Sequence, residues 1–84
     1  MTIEDVNKIN QDAGPAIRRI RRKHRVTVAE IAERVGISTQ AIYNYENGRR
    51  TMTHGMYIVL RYTICKIVDE RYKTGVASLS AGKD

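Results

Sequence analysis

Apolar residues recur with helical spacing through the middle of the chain. Val28, Ile31, Ala32 and Val35 stand at i, i+3, i+4 and i+7, a single stripe that predicts a short amphipathic helix over 28–35. After Gly36 the spacing restarts with Ser38, Ala41, Ile42 and Tyr45, predicting a second short helix over 39–47. Upstream, Ile3, Val6 and Ile9 mark a helix over 3–11. Gly14-Pro15 closes it, and Pro15 opens a further helix over about 15–24, with Ile17, Ile20, Arg21 and His24 on one face. Downstream of Thr53 one uninterrupted pattern runs to about Lys73. Met56, Tyr57, Leu60, Ile64, Ile67 and Val68 form one stripe, and Ile58, Tyr62 and Cys65 form a second beside it. No Gly or Pro falls between Met56 and Thr74, so this region reads as a single long helix.

Local chemistry agrees with these boundaries. Thr27 with Glu30 three residues on is a capping box for the helix at 28–35, and Ser38 is the natural N-cap of the next. Gly36 suits a turn that needs φ > 0, and Asn47-Gly48 tolerates the left-handed backbone that ends a helix. The expected fold class is all-α, with four to five helices and a long C-terminal one. Its expected organisation is one domain over residues 1–74, a helical pair at 28–47, a C-terminal helix at about 54–73 and a flexible tail at 75–84.

The polar face of the helix at 39–47 is unusual. Thr39, Gln40, Tyr43, Asn44 and Asn47 are uncharged donors and acceptors, where a solvated face would carry Lys and Glu. Such groups can read base edges in a major groove, and the amides of Gln40 and Asn44 can each bond bidentately to adenine. Two short helices hinged at a glycine, the second presenting this face, form a helix-turn-helix. Charge changes the picture further. The chain of 84 residues has a net charge of +6, and residues 15–50 alone hold nine Lys/Arg against three Asp/Glu. The positive excess therefore coincides with the groove-reading segment, as a polyanionic partner requires. Arg49 and Arg50 directly follow the second helix and, with Ser38 and Asn47 at its ends, are expected on the DNA backbone. Much of the RRIRRKHR run from Arg18 to Arg25 is expected to supply field rather than contacts.

Other chemistries find little support. Cys65 is the one cysteine, so an intramolecular disulfide and a multi-cysteine metal site are excluded; within its apolar stretch it reads as a small buried hydrophobe. His24 and His54 have no ligand cluster near them, and no nucleophile–base arrangement or nucleotide-cradling glycine loop is present. The expectation is a protein that is not an enzyme, with no metal and no cofactor. No apolar run is long enough for a membrane span and no signal peptide is evident, so a cytoplasmic address, with no membrane partner, is expected.

Over about residues 15–53 these features resemble the Cro/repressor-like (XRE-type) helix-turn-helix family of phage and bacterial transcriptional regulators. Ala32 stands at the family's small crossing position and Gly36 at its turn. Ile31, Val35, Ile37, Ile42 and Tyr45 fill its apolar positions, and YENGRR (45–50) looks like its closing signature. The resemblance implies sequence-specific binding of double-stranded DNA by a homodimeric repressor on an inverted repeat. On the polar face of the helix at 39–47, Thr39, Gln40, Tyr43 and Asn44 are the residues expected to read bases. The resemblance also implies an internal ion pair between Arg21 and Glu46, which the two apolar stripes place at core edges. Val28 departs from the pattern, standing where the family has a polar residue, usually Gln, so that family contact is not implied here. The second stripe of the long helix, Ile58, Tyr62 and Cys65, is expected at a dimer interface, since a monomer would leave it in water. The alternative is an antitoxin-like protein whose C-terminal helix engages a different protein partner.

Overall fold

The structure, a computed structural model, describes residues 12–82, with side chains described from 12 to 73; the helix expected over 3–11 lies outside the described residues. Four helices follow in order: α1 (Ala13–Lys23), α2 (Val28–Val35), α3 (Thr39–Glu46) and α4 (His54–Gly82). The architecture is all-α. Helices α1 and α2 pack on one side of α4 and α3 packs on α1 and α2; Ile17, Val26, Ile31, Ile42, Leu60 and Ile64 are the largest fully buried side chains of this core.

Each boundary has a local cause. Thr27 Oγ1 accepts the Glu30 N–H at 3.1 Å while the Glu30 carboxylate accepts the Thr27 N–H at 2.9 Å, so α2 starts in a reciprocal cap. It ends at Gly36, whose φ of +83° lets its N–H reach the Ala32 carbonyl at 2.8 Å. Ser38 Oγ accepts the Ala41 N–H at 3.1 Å and starts α3. Ser38 is therefore exposed at the cap rather than buried with Ile42 and Tyr45. Thr53 caps α4 in the same way through the Met56 N–H at 3.1 Å. That helix passes its expected end near Lys73 and continues to Gly82 through VASLSA, a run with no proline to break it.

The turn after α1 was not legible in the sequence. Val26 N–H bonds the Arg21 carbonyl at 2.9 Å and Arg25 N–H bonds the Arg22 carbonyl at 3.1 Å, a Schellman closure with Arg25 at φ +56° in the left-handed region. A non-glycine residue is uncommon there. Arg71 of α4 covers this end, donating to the His24 carbonyl at 3.2 Å and the Arg25 carbonyl at 2.9 Å. A cation is favoured at a helix C-terminus, where carbonyls lack partners. His24, expected on the apolar face, is exposed, because α1 ends at Lys23 and the chain turns away from the core.

Two ion pairs hold α2 on α4. Arg71 also meets Glu30 at 2.7 Å, and Arg34 meets Glu70. These pairs are solvated, so each contributes little to stability. Their spacing nonetheless favours one alignment, since Glu30 and Arg34 are one turn apart on α2 and face Arg71 and Glu70 in the opposite order of charge. The Thr27 backbone N–H, helped by the Arg71 guanidinium, holds the Glu30 carboxyl below its usual range. The stability this adds is complete above the ordinary Glu pKa and is lost as pH falls through the lowered one.

Gly14 corrects the reading of Gly14-Pro15 as punctuation before a helix starting at Pro15. Both residues lie in the first turn of α1, where proline's missing N–H is tolerated. Gly14 is buried where α1 crosses the end of α3, and a Cβ there would overlap the Tyr45 carbonyl oxygen, which is backbone and cannot rotate away. Gly14→Ala is therefore expected to destabilise by roughly 1–3 kcal/mol through overpacking. A thermal melt should fall by several degrees, and an unchanged midpoint would mean that the two helices do not approach this closely.

Candidate nucleic-acid interface

Helix α3 divides its residues cleanly. Ile42, Tyr45 and Glu46 are buried, while Thr39, Gln40 and Tyr43 are exposed and Asn44 is half-buried. Gln40 Nε2 donates to Asn44 Oδ1 at 3.1 Å, one turn away, so the two amides form a single hydrogen-bonding surface. Tyr43, which the sequence allows to point inward, is 45% exposed and stands beside them. Asn47 is exposed at the C-cap, and Gly48, at φ +78°, turns the chain into the Arg49–Arg50 loop. Arg50 N–H bonds the Asn44 carbonyl at 3.0 Å, and the Arg50 guanidinium lies 5.0 Å from the Tyr45 ring centroid. Ser38 spends an acceptor on its cap and keeps its O–H to donate. Ser38 at one end of α3 and Asn47, Arg49 and Arg50 at the other are all exposed.

Behind this face, Arg21 and Glu46 meet. Arg21 Nε donates to Glu46 Oε2 at 2.7 Å, one terminal nitrogen donates to Oε1 at 3.0 Å, and the other donates to the Val26 carbonyl at 3.2 Å. The Glu46 side chain is 2% exposed and that of Arg21 is 14%. The hydrogen bonds that Arg21 donates to Glu46 raise the Arg21 pKa above its ordinary value. One guanidinium thus joins α1, the last turn of α3 and the segment leading into α2, which sets the angle at which α3 is presented. Among the described residues Arg18, Arg19, Arg22, Lys23, Arg25, Arg49 and Arg50 make no ion pair with a carboxylate. Their charge is available to an external anion.

The remaining candidates lie on α4. Ile58 and Tyr62 are 38% and 64% exposed. Cys65, expected as a buried small hydrophobe, is exposed. It follows Ile64, which faces the core, and the helical step of about 100° carries it out of the core to an open groove beside Ile20 and His24 of α1. Val59 and Tyr72 join this open surface and were not singled out from the sequence, although Tyr72 follows Cys65 by seven residues, two helical turns. Among the described residues no group of three or more His, Cys, Asp or Glu side chains is placed to hold a metal ion, and no helix is long and apolar enough to cross a membrane.

Residues 17–53, from the middle of α1 to the cap of α4, match a protein-family model described as Helix-turn-helix. No curated protein and no solved structure matches the chain. The matched span contains the capped α2–Gly36–α3 unit, the exposed amides, the Arg loop and both members of the internal ion pair. Through these residues the span 17–53 is a helix-turn-helix similar to the Cro/XRE-like family, a match that supports a DNA-binding regulator.

Proposed function

We propose that the protein is a sequence-specific repressor that binds an inverted repeat as a homodimer and acts by occupying promoter DNA. The observation that carries this reading is the Gln40–Asn44 amide pair on the open face of α3, flanked by Tyr43 and Thr39 and bordered by the exposed Arg49 and Arg50. Helix α3 enters the major groove with these four polar residues toward the bases, while α2 lies across the backbone. Ser38, Asn47, Arg49 and Arg50 contact phosphates and fix the register. Two-fold pairing through the open face of α4 sets two copies of α3 about 34 Å apart, one turn of DNA. Enrichment of duplexes from a random pool tests the reading: it should return a two-fold-symmetric motif, and an unenriched pool would remove sequence specificity.

Side-chain roles separate on the enriched site. Gln40→Ala and Asn44→Ala should each lose roughly 1–3 kcal/mol on that site and far less on random DNA. Arg49→Ala or Arg50→Ala should instead weaken binding to all sequences alike. Each lost phosphate contact should also reduce the slope of log K against log salt by about one. Titrations at several salt concentrations check both, and equal losses on specific and random DNA would move the amides off the bases.

A further inference from the structure

Leu60, Ile64 and Ile67 bury one side of α4 against the other helices, while Ile58, Tyr62, Cys65 and Tyr72 are exposed outside that contact, Cys65 and Tyr72 along a groove shared with Ile20 and His24 of α1. With Asp69 these exposed positions follow one another at alternating steps of four and three residues. That is the 3.5-residue period of a two-helix seam, narrower than the face a helix presents to a globular core. Asp69 is its one charged member. Its side chain is half exposed and touches Lys73 at 3.2 Å, while Lys66, one turn earlier, makes no ion pair among the described residues.

A second copy can lie on this seam in two directions, and charge chooses between them. Side by side in parallel, Asp69 would face Asp69 of the second copy, and Arg61 would face its Lys66; both contacts are repulsive. Run antiparallel about a two-fold axis level with residue 67, the same seam places Tyr62 against Tyr72 of the second copy and Cys65 against its Asp69. Each Asp69 then comes beside Lys66 of the other chain; the two Val68 side chains flank the axis on one side and the two Lys66 side chains on the other, where the paired Asp69 carboxylates offset their repulsion. Ile58 falls at the same seam opposite residue 76. Residue 67 is also next to the midpoint of α4 (His54–Gly82), so this register overlaps nearly the whole helix.

We propose that α4 pairs antiparallel with α4 of a second copy of this chain, with Tyr62, Cys65, Asp69 and Tyr72 along the seam and reciprocal Asp69–Lys66 pairs setting direction and register. The proposal rests on the homodimer reading and adds orientation and register to it. At Cys65, Asp69 and Tyr72 the seam borders Ile20 and His24 of α1, whereas α3 packs on α1 and α2 rather than on α4, so pairing leaves the α3 face open to DNA.

Disulfide trapping without DNA tests it, because a disulfide forms only between Cβ atoms about 4 Å apart. In a Cys65→Ser background, Tyr62→Cys and Tyr72→Cys chains are oxidised separately and then mixed. The expected result is a covalent dimer containing one chain of each kind from the mixture and none from either alone. Cross-linking of either variant with itself would overturn the antiparallel direction. A non-covalent dimer that never cross-links would overturn the register. Both outcomes leave the homodimer reading standing, whereas a wild-type monomer in sedimentation at about tens of micromolar removes both readings. Since losing a seam tyrosine can itself loosen the dimer, a charge exchange gives an independent measure. Lys66→Glu and Asp69→Lys should each weaken self-association at least about tenfold. Mixed together, they should associate within about threefold of wild type, because every seam pair is then again of opposite sign. Failure of the mixture to recover would overturn the Asp69–Lys66 pairing.

Discussion

Replacing Glu46 with alanine is expected to unfold the protein or bring it to the edge of unfolding. The substitution leaves the Arg21 guanidinium, 14% exposed and held between α1 and α3, with only the Val26 carbonyl as a partner. Removing one member of a buried ion pair typically costs about 3–5 kcal/mol, because the remaining charge is neither paired nor hydrated. A small domain has roughly 5–15 kcal/mol of stability in total, so this single loss consumes much of it. Urea denaturation followed by circular dichroism should show a large drop in midpoint. Adding Arg21→Met should recover part of the loss, since the stranded charge is gone and an apolar side chain of similar length replaces it. A Glu46→Ala midpoint equal to wild type would mean that the pair contributes nothing to stability. The same pair holds the last turn of α3 to α1, so any folded fraction of Glu46→Ala should also lose specific DNA affinity before it loses affinity for random duplexes.

Ile58→Glu combined with Tyr62→Glu is expected to produce a folded monomer with much weaker operator binding. In the isolated chain both side chains already meet water, at 38% and 64% exposure, so the substitutions add little strain to the four-helix body. In a dimer they would bury four carboxylates along an apolar seam, which association cannot offset. Two linked recognition helices gain about 10²–10⁴ in apparent affinity over one, through the effective concentration of the second after the first has bound. Loss of the dimer should remove that factor while leaving half-site contacts intact. Light scattering and operator titration measure the two effects separately. A variant that remains dimeric would move the seam away from α4, and a monomer with undiminished affinity would detach dimerisation from DNA binding.

The helix-turn-helix itself was legible in the sequence because its instructions are local. Thr27 and Glu30, Gly36, Ser38 and Gly48 each act on backbone groups within about a turn, so residue type and spacing are sufficient to place α2 and α3. The exposed face of α3 was legible for the same reason, since helical periodicity separates Gln40, Tyr43 and Asn44 from Ile42 and Tyr45. Arg21 and Glu46, 25 residues apart, were approachable only because both stand at the margin of an apolar stripe and match a known pattern.

Tertiary packing decided the rest. The length and continuity of α4 followed from the absence of breakers, but two apolar stripes share that helix. The stripe of Leu60, Ile64 and Ile67 faces the core and Ile58 and Tyr62 stay outside it, as the spacing predicts, but packing against α1 leaves Cys65, read as a small buried hydrophobe, exposed. Val26 and Met52 entered the core from connecting segments that have no periodicity to read. Gly14 looked like punctuation until the crossing of α1 over the Tyr45 carbonyl made its missing Cβ a requirement. Arg71 satisfies carbonyls of the α1 turn from 46 and 47 residues away, where no local spacing rule operates. Caps and stripes are encoded within one or two helical turns, so the sequence alone determines them. Close crossings, long-range caps and the exposure of Cys65 are set by how the helices are arranged around one another, and that arrangement exists only once the whole core has assembled.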